Sequence, residues 1–408
     1  MPHSRNLSGC QVFSPAHLPS DWACVPLKER LELLYGRALK EDVRKPGDVD
    51  VFGSNGKVGS HNEHWLDGPG VLVGRKGTVG AVHYTEKSFW PIDTTYYVKP
   101  VDDDQLRYLF YLLDYLPLKI LNAATGVPGL SRRDAYALRG AFPPANEQAG
   151  IVRMLYAVDV AIERARDALA KAKELDHSLL HELLESGVGG RTKRPVHWLL
   201  KRVDEVAEVG SGVTLGKDVT GFQHVELPYL RVANVQDGHL DLSTIKTVKV
   251  RLSEVERYRL LPGDVLMTEG GDLDKLGRGT LWDGQIAECL HQNHIFRVRA
   301  DRLQLTPGFF AYVVESDIAK RYFMRVAKRT TNLASTNKTQ VRAFRFPLPP
   351  LWEQQQIVEV MNASKATIRA LEAKAVGLVD LKNSLMHDLF TGIVRVDLAL
   401  FNKEKITS

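Results

Sequence analysis

Glycine-rich turns that carry arginine, lysine and amide side chains are the residues of this 408-residue chain best suited to chemistry. In the first half they are Ser54-Asn55-Gly56-Lys57 and Gly74-Arg75-Lys76-Gly77-Thr78. In the second they are Arg231, Asn234-Val235-Gln236-Asp237-Gly238, Gly270-Gly271-Asp272 and Lys275-Leu276-Gly277-Arg278-Gly279. Glycine lets backbone approach a ligand closely, and Arg, Lys, Asn and Gln are the side chains that read base edges in the major groove. Two basic stretches extend the pattern. From Asp317 to Arg345 eight basic residues, Arg329 and Lys338 among them, accompany a single acid, and the matching stretch of the first half holds Lys119, Arg132, Arg133 and Arg139 against Asp134. A polar hairpin or a solvated face has the same composition, so no one residue decides the matter. Recurrence in both halves, each time just before a long helix, favours phosphate contacts. The candidate DNA-binding residues are therefore Asn55, Lys57, Arg75, Lys76, Arg132, Arg133, Arg231, Asn234, Lys275, Arg278, Arg329 and Lys338.

Other chemistries fare worse. Gly210-Ser211-Gly212 with Gly216 faintly resembles a nucleotide-binding loop, but Val213-Thr214-Leu215 follows where a dinucleotide site needs a helix. His61-Asn62-Glu63 lacks the cysteine half of a zinc-deaminase signature. His291-Gln292-Asn293-His294 runs straight into Ile295-Phe296-Arg297-Val298, which reads as a strand. No Walker loop, G-x-S-x-G or N-P-P-Y motif occurs, so no catalytic residue and no metal site are expected. Cys10, Cys24 and Cys289 are odd in number and far apart, which fits a reducing cytoplasm. The net charge of +5 permits nucleic-acid binding without demanding it. No apolar stretch reaches the roughly 18 residues of a membrane span, and the first twenty residues hold no signal-peptide run.

The elements that must position the turns are written twice. Ile151, Leu155, Val158, Ile162, Ala165, Leu169, Ala172, Leu175, Leu179 and Leu183 advance by steps of three and four. The same steps run through Ile357, Met361, Ser364, Ile368, Leu371, Ala375, Leu378, Leu381, Leu385 and Leu389, each 206 residues after its counterpart. Before each run stands Pro143-Pro144-x-x-Glu147-Gln148 or Pro349-Pro350-x-x-Glu353-Gln354, also 206 apart. A stripe of this period is the signature of paired helices. The pairing predicted is antiparallel and within the chain, with a homodimer as second choice; the seam is Ile151, Leu155, Ile162, Leu169 and Leu179 against Ile357, Met361, Ile368, Leu371, Leu378 and Leu385. A helix of about 40 residues spans roughly 60 Å and could act as a ruler between two readers. The organisation expected is an arm (1–19), a globular unit (20–143), a helix (144–187), a linker (188–196) carrying Arg191, Lys193 and Arg194, a second unit (197–349), a second helix (350–391) and a tail (392–408) with a short strand at Ile393–Val396. The fold class is α+β, two tandem mixed units separated by two long helices, with pseudo-twofold symmetry.

On these residues the chain resembles a specificity subunit of a type I restriction–modification system over essentially its whole length. Phe52 to Gly59 and Gly68 to Gly80 resemble one form of target recognition domain. Pro228 to Gly238, Pro262 to Leu266 and Asp274 to Gly279 resemble another, and the repeated Pro-Pro-x-x-Glu-Gln-x-x-Ile resembles the start of the family's two central helices. The resemblance implies a non-catalytic reader of double-stranded DNA, with one half of a bipartite site for each domain. The helices would set the unread spacer and dock two modification subunits. Those partners would bind S-adenosylmethionine and methylate a flipped adenine. A restriction subunit, where present, would use ATP and Mg. The two halves differ in sequence, so the expected target is asymmetric. The rival readings are a single-chain DNA methyltransferase or nuclease, for which catalytic residues are missing, and a coiled-coil adaptor, which leaves the basic turns unexplained.

Overall fold

Short apolar runs bounded by glycine or a buried acid become central strands. Val71-Leu72-Val73 inside Gly70–Gly74, and Asp264–Thr268, are buried on both faces, as continuous apolar runs in a covered sheet must be. A computed structural model describes residues 18–102, 104–121, 129–189, 195–271, 276–329 and 334–396. The chain divides into two compact units, Met1–Arg166 with Ala373–Ser408, and Asp167–Glu372.

The units share one topology. In the first, a four-stranded sheet runs Leu31–Tyr35, Thr95–Pro100, Gly70–Gly74, Val82–Thr85, and a three-stranded sheet runs Gly56–His61, Val49–Gly53, Phe89–Pro91. In the second, the four strands are Ala207–Ser211, Ile295–Ala300, Asp264–Thr268, Gly279–Trp282, and the three are Lys246–Arg251, His224–Leu230, Leu290–His291. Each three-stranded sheet combines one antiparallel and one parallel pair. Each unit also pins its first strand antiparallel to the strand before the long helix, Ala23–Pro26 with Arg139–Phe142 and Leu199–Arg202 with Arg345–Leu348. The second unit adds a small sheet of Gly270–Gly271, Ala334–Ser335 and Lys328–Arg329.

The long helices are Ala145–Ser186 and Leu351–Phe390. Each unit takes one end of each. The first core gathers Ile151 and Leu155 with Met386, Leu389 and Phe390 around Tyr108, Leu109 and Leu112. The second gathers their 206-residue counterparts, Ile357 and Met361 with Leu180, Leu183 and Leu184, around Phe309, Phe310 and Val313. Fully burying such a side chain contributes about 1.5–3 kcal/mol. In the second unit Lys173 meets Glu372 and Asp176 meets Lys365, so one helix runs back as the other advances: the pairing is antiparallel.

A polar clasp fixes the start of each long helix. Gln148 is buried; its amide donates to the carbonyl of Pro143 (3.1 Å) and to Asp104 (2.7 Å), while its oxygen accepts from the backbone N–H of Gln105 (3.3 Å). Gln354 donates to the carbonyls of Pro349 (2.8 Å) and Gln304 (2.9 Å) and accepts from the N–H of Thr306 (2.7 Å). The neighbouring buried carboxylates accept indole N–H bonds from the first strand's flank, Trp22 to Glu147 (3.0 Å) and Trp198 to Glu353 (2.9 Å). Arg395 completes the first clasp at 2.6 Å, and His197 the second at 3.0 Å.

One expectation needs correction. Ile393–Val396 is not a strand: it forms bends and irregular chain, and its work is to carry Arg395 to Glu147 and Asp21. The helix Leu106–Tyr115 gives way to a short turn at Leu118–Ile120, because Pro117 cannot continue it. The corresponding region of the second unit holds two helices, Pro307–Glu315 and Asp317–Val326, broken at Ser316. The strand Val82–Thr85 begins after the turn at Gly80. Most of the arm, the linker's basic residues and the end of the tail lie outside the described residues.

His291 is a buried core residue with one ring nitrogen bonded; among the described residues its Nε2 has no hydrogen-bond partner. It is buried, hydrogen-bonds the carbonyl of Tyr258 through Nδ1 (3.0 Å), and burial pushes its pKa down to about 4. A folded pKa below the unfolded value of about 6.5 contributes stability above that pH, lost as pH falls toward 4. Thermal melts should therefore show the wild type losing up to about 3 kcal/mol more across that window than His291→Asn; parallel pH profiles would refute this. For the clasps, Gln148→Ala and Gln354→Ala should each cost roughly 2–4 kcal/mol in denaturant unfolding, since each strands several buried partners. A cost below about 1 kcal/mol at either would show the clasp to be incidental.

Candidate nucleic-acid interface

In the first unit the two predicted turns lie side by side. A Cβ on Gly74 would strike the carbonyl of Thr78 at 2.1 Å and come within 3.0 Å of the Ser54 carbonyl; only glycine lets these turns close on one another. The Arg75 backbone is fixed by its N–H to Thr94 (2.9 Å) and its carbonyl to the N–H of Leu130 (2.8 Å). This leaves the side chain to the surface. Its guanidinium lies 4.6 Å from the ring centroid of Tyr35, and that of Arg132 lies 4.4 Å from the same ring. Tyr35 pairs across the sheet with Tyr96 and remains 45% exposed, so the stacked cations border solvent. Their hydrogen bonds go to backbone carbonyls, Arg75 to Asp93 (3.0 Å) and Arg132 to Leu33 (3.4 Å). Among the described residues neither guanidinium meets a carboxylate within 4.0 Å. The residues beside these turns that the sequence did not single out are the strand residues Tyr35 and His83, the latter hydrogen-bonding the Ser54 carbonyl through its ring (3.2 Å). The one signal for Tyr35 was an aromatic at the end of a strand.

The other candidates of this unit divide. Asn55 and Lys76 are exposed. Lys57 is exposed but pairs with Asp50 at 2.5 Å. Arg133 is 86% exposed, with Asp134 3.7 Å away.

In the second unit Arg278 donates to the side-chain carbonyl of Gln236 (2.8 Å), and the N–H of Gly238 bonds the carbonyl of Gly279 (3.1 Å), which joins the two turns. Arg231 is half-buried and donates to the Thr244 carbonyl at 3.2 Å. Asn234 is buried instead of presented. Its carboxamide accepts from the N–H of Arg231 (2.8 Å) and donates to the carbonyls of Asp241 (2.8 Å) and Thr244 (3.1 Å), so it shapes the loop that holds Arg231. Beside that loop opens a cleft of about 550 Å³ lined by Val232, Glu269, His294 and Lys328. Lys338 opens the helix Lys338–Ala343; burial, and then the like charges of Arg342, Arg257 and Arg297, hold its pKa below the ordinary lysine value. Glu208 is the acid that opposes them. Such under-neutralised cations are suited to a phosphate. Lys275 and the side chain of Arg329 lie outside the described residues. Among those described, no group of three or more metal-ligating side chains occurs, and no helix is long and apolar enough to cross a membrane.

Residues 19–172 and 195–376 match the family described as type I restriction modification DNA specificity domain. The chain is 26% identical over 201 residues to the putative type I restriction enzyme MjaX specificity subunit of Methanocaldococcus jannaschii, an alignment covering 48% of this chain and 46% of that protein. It is 23% identical over 270 residues to the type I restriction enzyme EcoKI specificity subunit of Escherichia coli, covering 63% and 57%. The chain thus spans about half the length of the curated relatives it matches. A crystal structure of the type I restriction–modification S subunit from M. genitalium has the same fold, with a TM-score of 0.56 at 15% identity, over 92% of this chain and 98% of that one.

Proposed function

We propose a mechanism that starts from one premise: this chain belongs to the type I restriction modification DNA specificity family. It acts as the sequence reader of a restriction–modification complex and carries no catalytic group of its own. Each unit binds one half of a bipartite site in double-stranded DNA. The observation that carries the reading is the repeated frame with unlike turns. The same sheet topology presents Asn55, Lys57, Arg75, Lys76, Arg132 and Arg133 in one unit, and Arg231, Arg278 and Lys338 in the other. One frame with two sets of side chains reads two different half-sites, so the target is asymmetric. The long helices set the unread spacer and offer the docking surface for two modification subunits. Those partners bind S-adenosylmethionine and methylate an adenine; a restriction subunit, where present, brings ATP and Mg. The complex works in the cytoplasm.

The roles within a unit follow from charge and geometry. Arg75 and Arg132, held over Tyr35 with no carboxylate within 4.0 Å among the described residues, keep their remaining guanidinium donors for base edges or phosphates. Lys338, crowded by like charge, is relieved by a phosphate.

Selection of bound duplexes from a randomised library, with the modification subunits present, tests the reading. Arg75→Ala should relax specificity within one half-site only, by about 1–3 kcal/mol per base pair it reads. Equal loss in both half-sites, or none, would remove Arg75 from the readers. Lys338→Ala should weaken binding to all sequences alike and reduce the slope of log K against log salt by about 1. An unchanged slope would show that Lys338 touches no phosphate.

A further inference from the structure

Two largely buried ion pairs join the long helices beside their apolar stripe. In the first unit Lys382 Nζ lies 2.8 Å from Asp159 Oδ1, and Tyr111 donates its hydroxyl to the other oxygen of Asp159 at 2.7 Å. In the second, Lys365 Nζ lies 2.9 Å from Asp176 Oδ2, Ser364 donates to Asp176 Oδ1 at 2.7 Å, and Glu315 also meets Lys365. The side chain of Asp176 is 8% exposed and that of Lys382 17%. Across the 206-residue repeat, Asp159 corresponds to Lys365 and Asp176 to Lys382. The two pairs are therefore one contact built twice with its signs exchanged. The first helix carries both acids, and the second carries both lysines.

The exchange matters because the apolar stripes are so alike. Both helices place apolar residues at the same steps, so packing alone offers each helix a copy of itself as a partner. Consider the first helix set against the first helix of another copy in the same register. Asp159 would then face Asp176. Asp176 would meet Val158 where Ser364 now stands, and would have no cation. Lys173, which now meets Glu372 at 2.7 Å, would face Arg166. Two second helices would set Lys365 against Lys382. Leaving a buried charge without its partner is far costlier than replacing the whole pair by apolar groups. Like pairing is thus penalised at every one of these sites, and unlike pairing at none.

We propose that Asp159, Asp176, Lys365 and Lys382 form a pairing code that commits the first long helix to the second and rejects a second copy of itself. The code does not depend on the DNA-reading role. Each unit reinforces its own sign at the position nearest its short helix: Tyr111 supports the acid at 159, and Glu315 the lysine at 365.

The test uses the full chain, cut at a protease site placed after Gly189 with both pieces retained. It is unfolded and refolded together, and native mass spectrometry then reads which pieces pair. The wild type should yield only unlike pairs. Asp159→Lys with Lys382→Asp keeps an ion pair in the first unit but leaves one charge of each sign on each helix, making like helices complementary. A second variant turns all four residues to Leu, which retains burial while erasing the charges. In both, like pairs should rise from undetectable toward roughly half of the complexes, the mixture expected when partner choice is lost. Like pairs in the wild type, or only unlike pairs in both variants, would overturn the code and leave apolar packing as the sole selector.

Discussion

The structure depends on a buried glutamate and glutamine at the start of each long helix. A helix of some 40 residues has little tendency of its own to leave a domain at one angle. The Gln148 and Gln354 carboxamides tie the last backbone carbonyl before the turn to the start of the short helix, and the Glu147 and Glu353 carboxylates tie the same turn to a tryptophan beside the first strand. Three segments distant in sequence are thereby held by two adjacent side chains. Burial raises the stakes, because in a low dielectric every unmade bond of such a network is costly. The carboxylates are compensated differently in the two units, by Arg395 from the tail and by His197 from the segment after the linker. The device survives divergence of its partners.

Much of this was legible in the sequence, because the duplication wrote it twice. Both long helices and the repeated Pro-Pro-x-x-Glu-Gln starts were readable from spacing, and the antiparallel pairing within the chain was the first choice over a homodimer because a whole globular unit lies between the two helices. The seam residues Ile151, Leu155, Ile162, Ile357, Met361 and Ile368 are buried, while Leu169, Leu179, Leu371, Leu378 and Leu385 are partly so. Leu175 and Leu381 are not: at 66% and 47% exposed, they point away, and their neighbours Asp176 and Lys382 turn inward. These two leucines are themselves counterparts, and they fall where two steps of three come in succession. A period count treats every leucine as a seam residue and every charge as surface, so it reverses the roles at this place.

The turns show the same limit. Composition located them, but not the direction in which each side chain points. Asn234 and Arg231 lie three residues apart in one motif, yet the first is folded inward to shape the loop and the second reaches its edge. Tyr35 has no motif at all. It joins Arg75 and Arg132, 57 residues apart in sequence, only because its strand pairs with Thr95–Pro100 in the sheet that ends at the Arg75 turn. Local pattern thus finds where function sits, while long-range pairing decides which residues carry it. The frame repeats with unlike turns, and the helices are alike in apolar spacing but opposite in charge at their two buried pairs.

The most direct measurement is a map of methylated adenines in cells that express this chain with the products of the neighbouring genes, set against cells lacking only this chain. The expected result is methylation at a two-part asymmetric motif with an unspecified spacer, lost when the chain is removed. Methylation of the same motif without the chain, or no motif in its presence, would contradict its role as the reader.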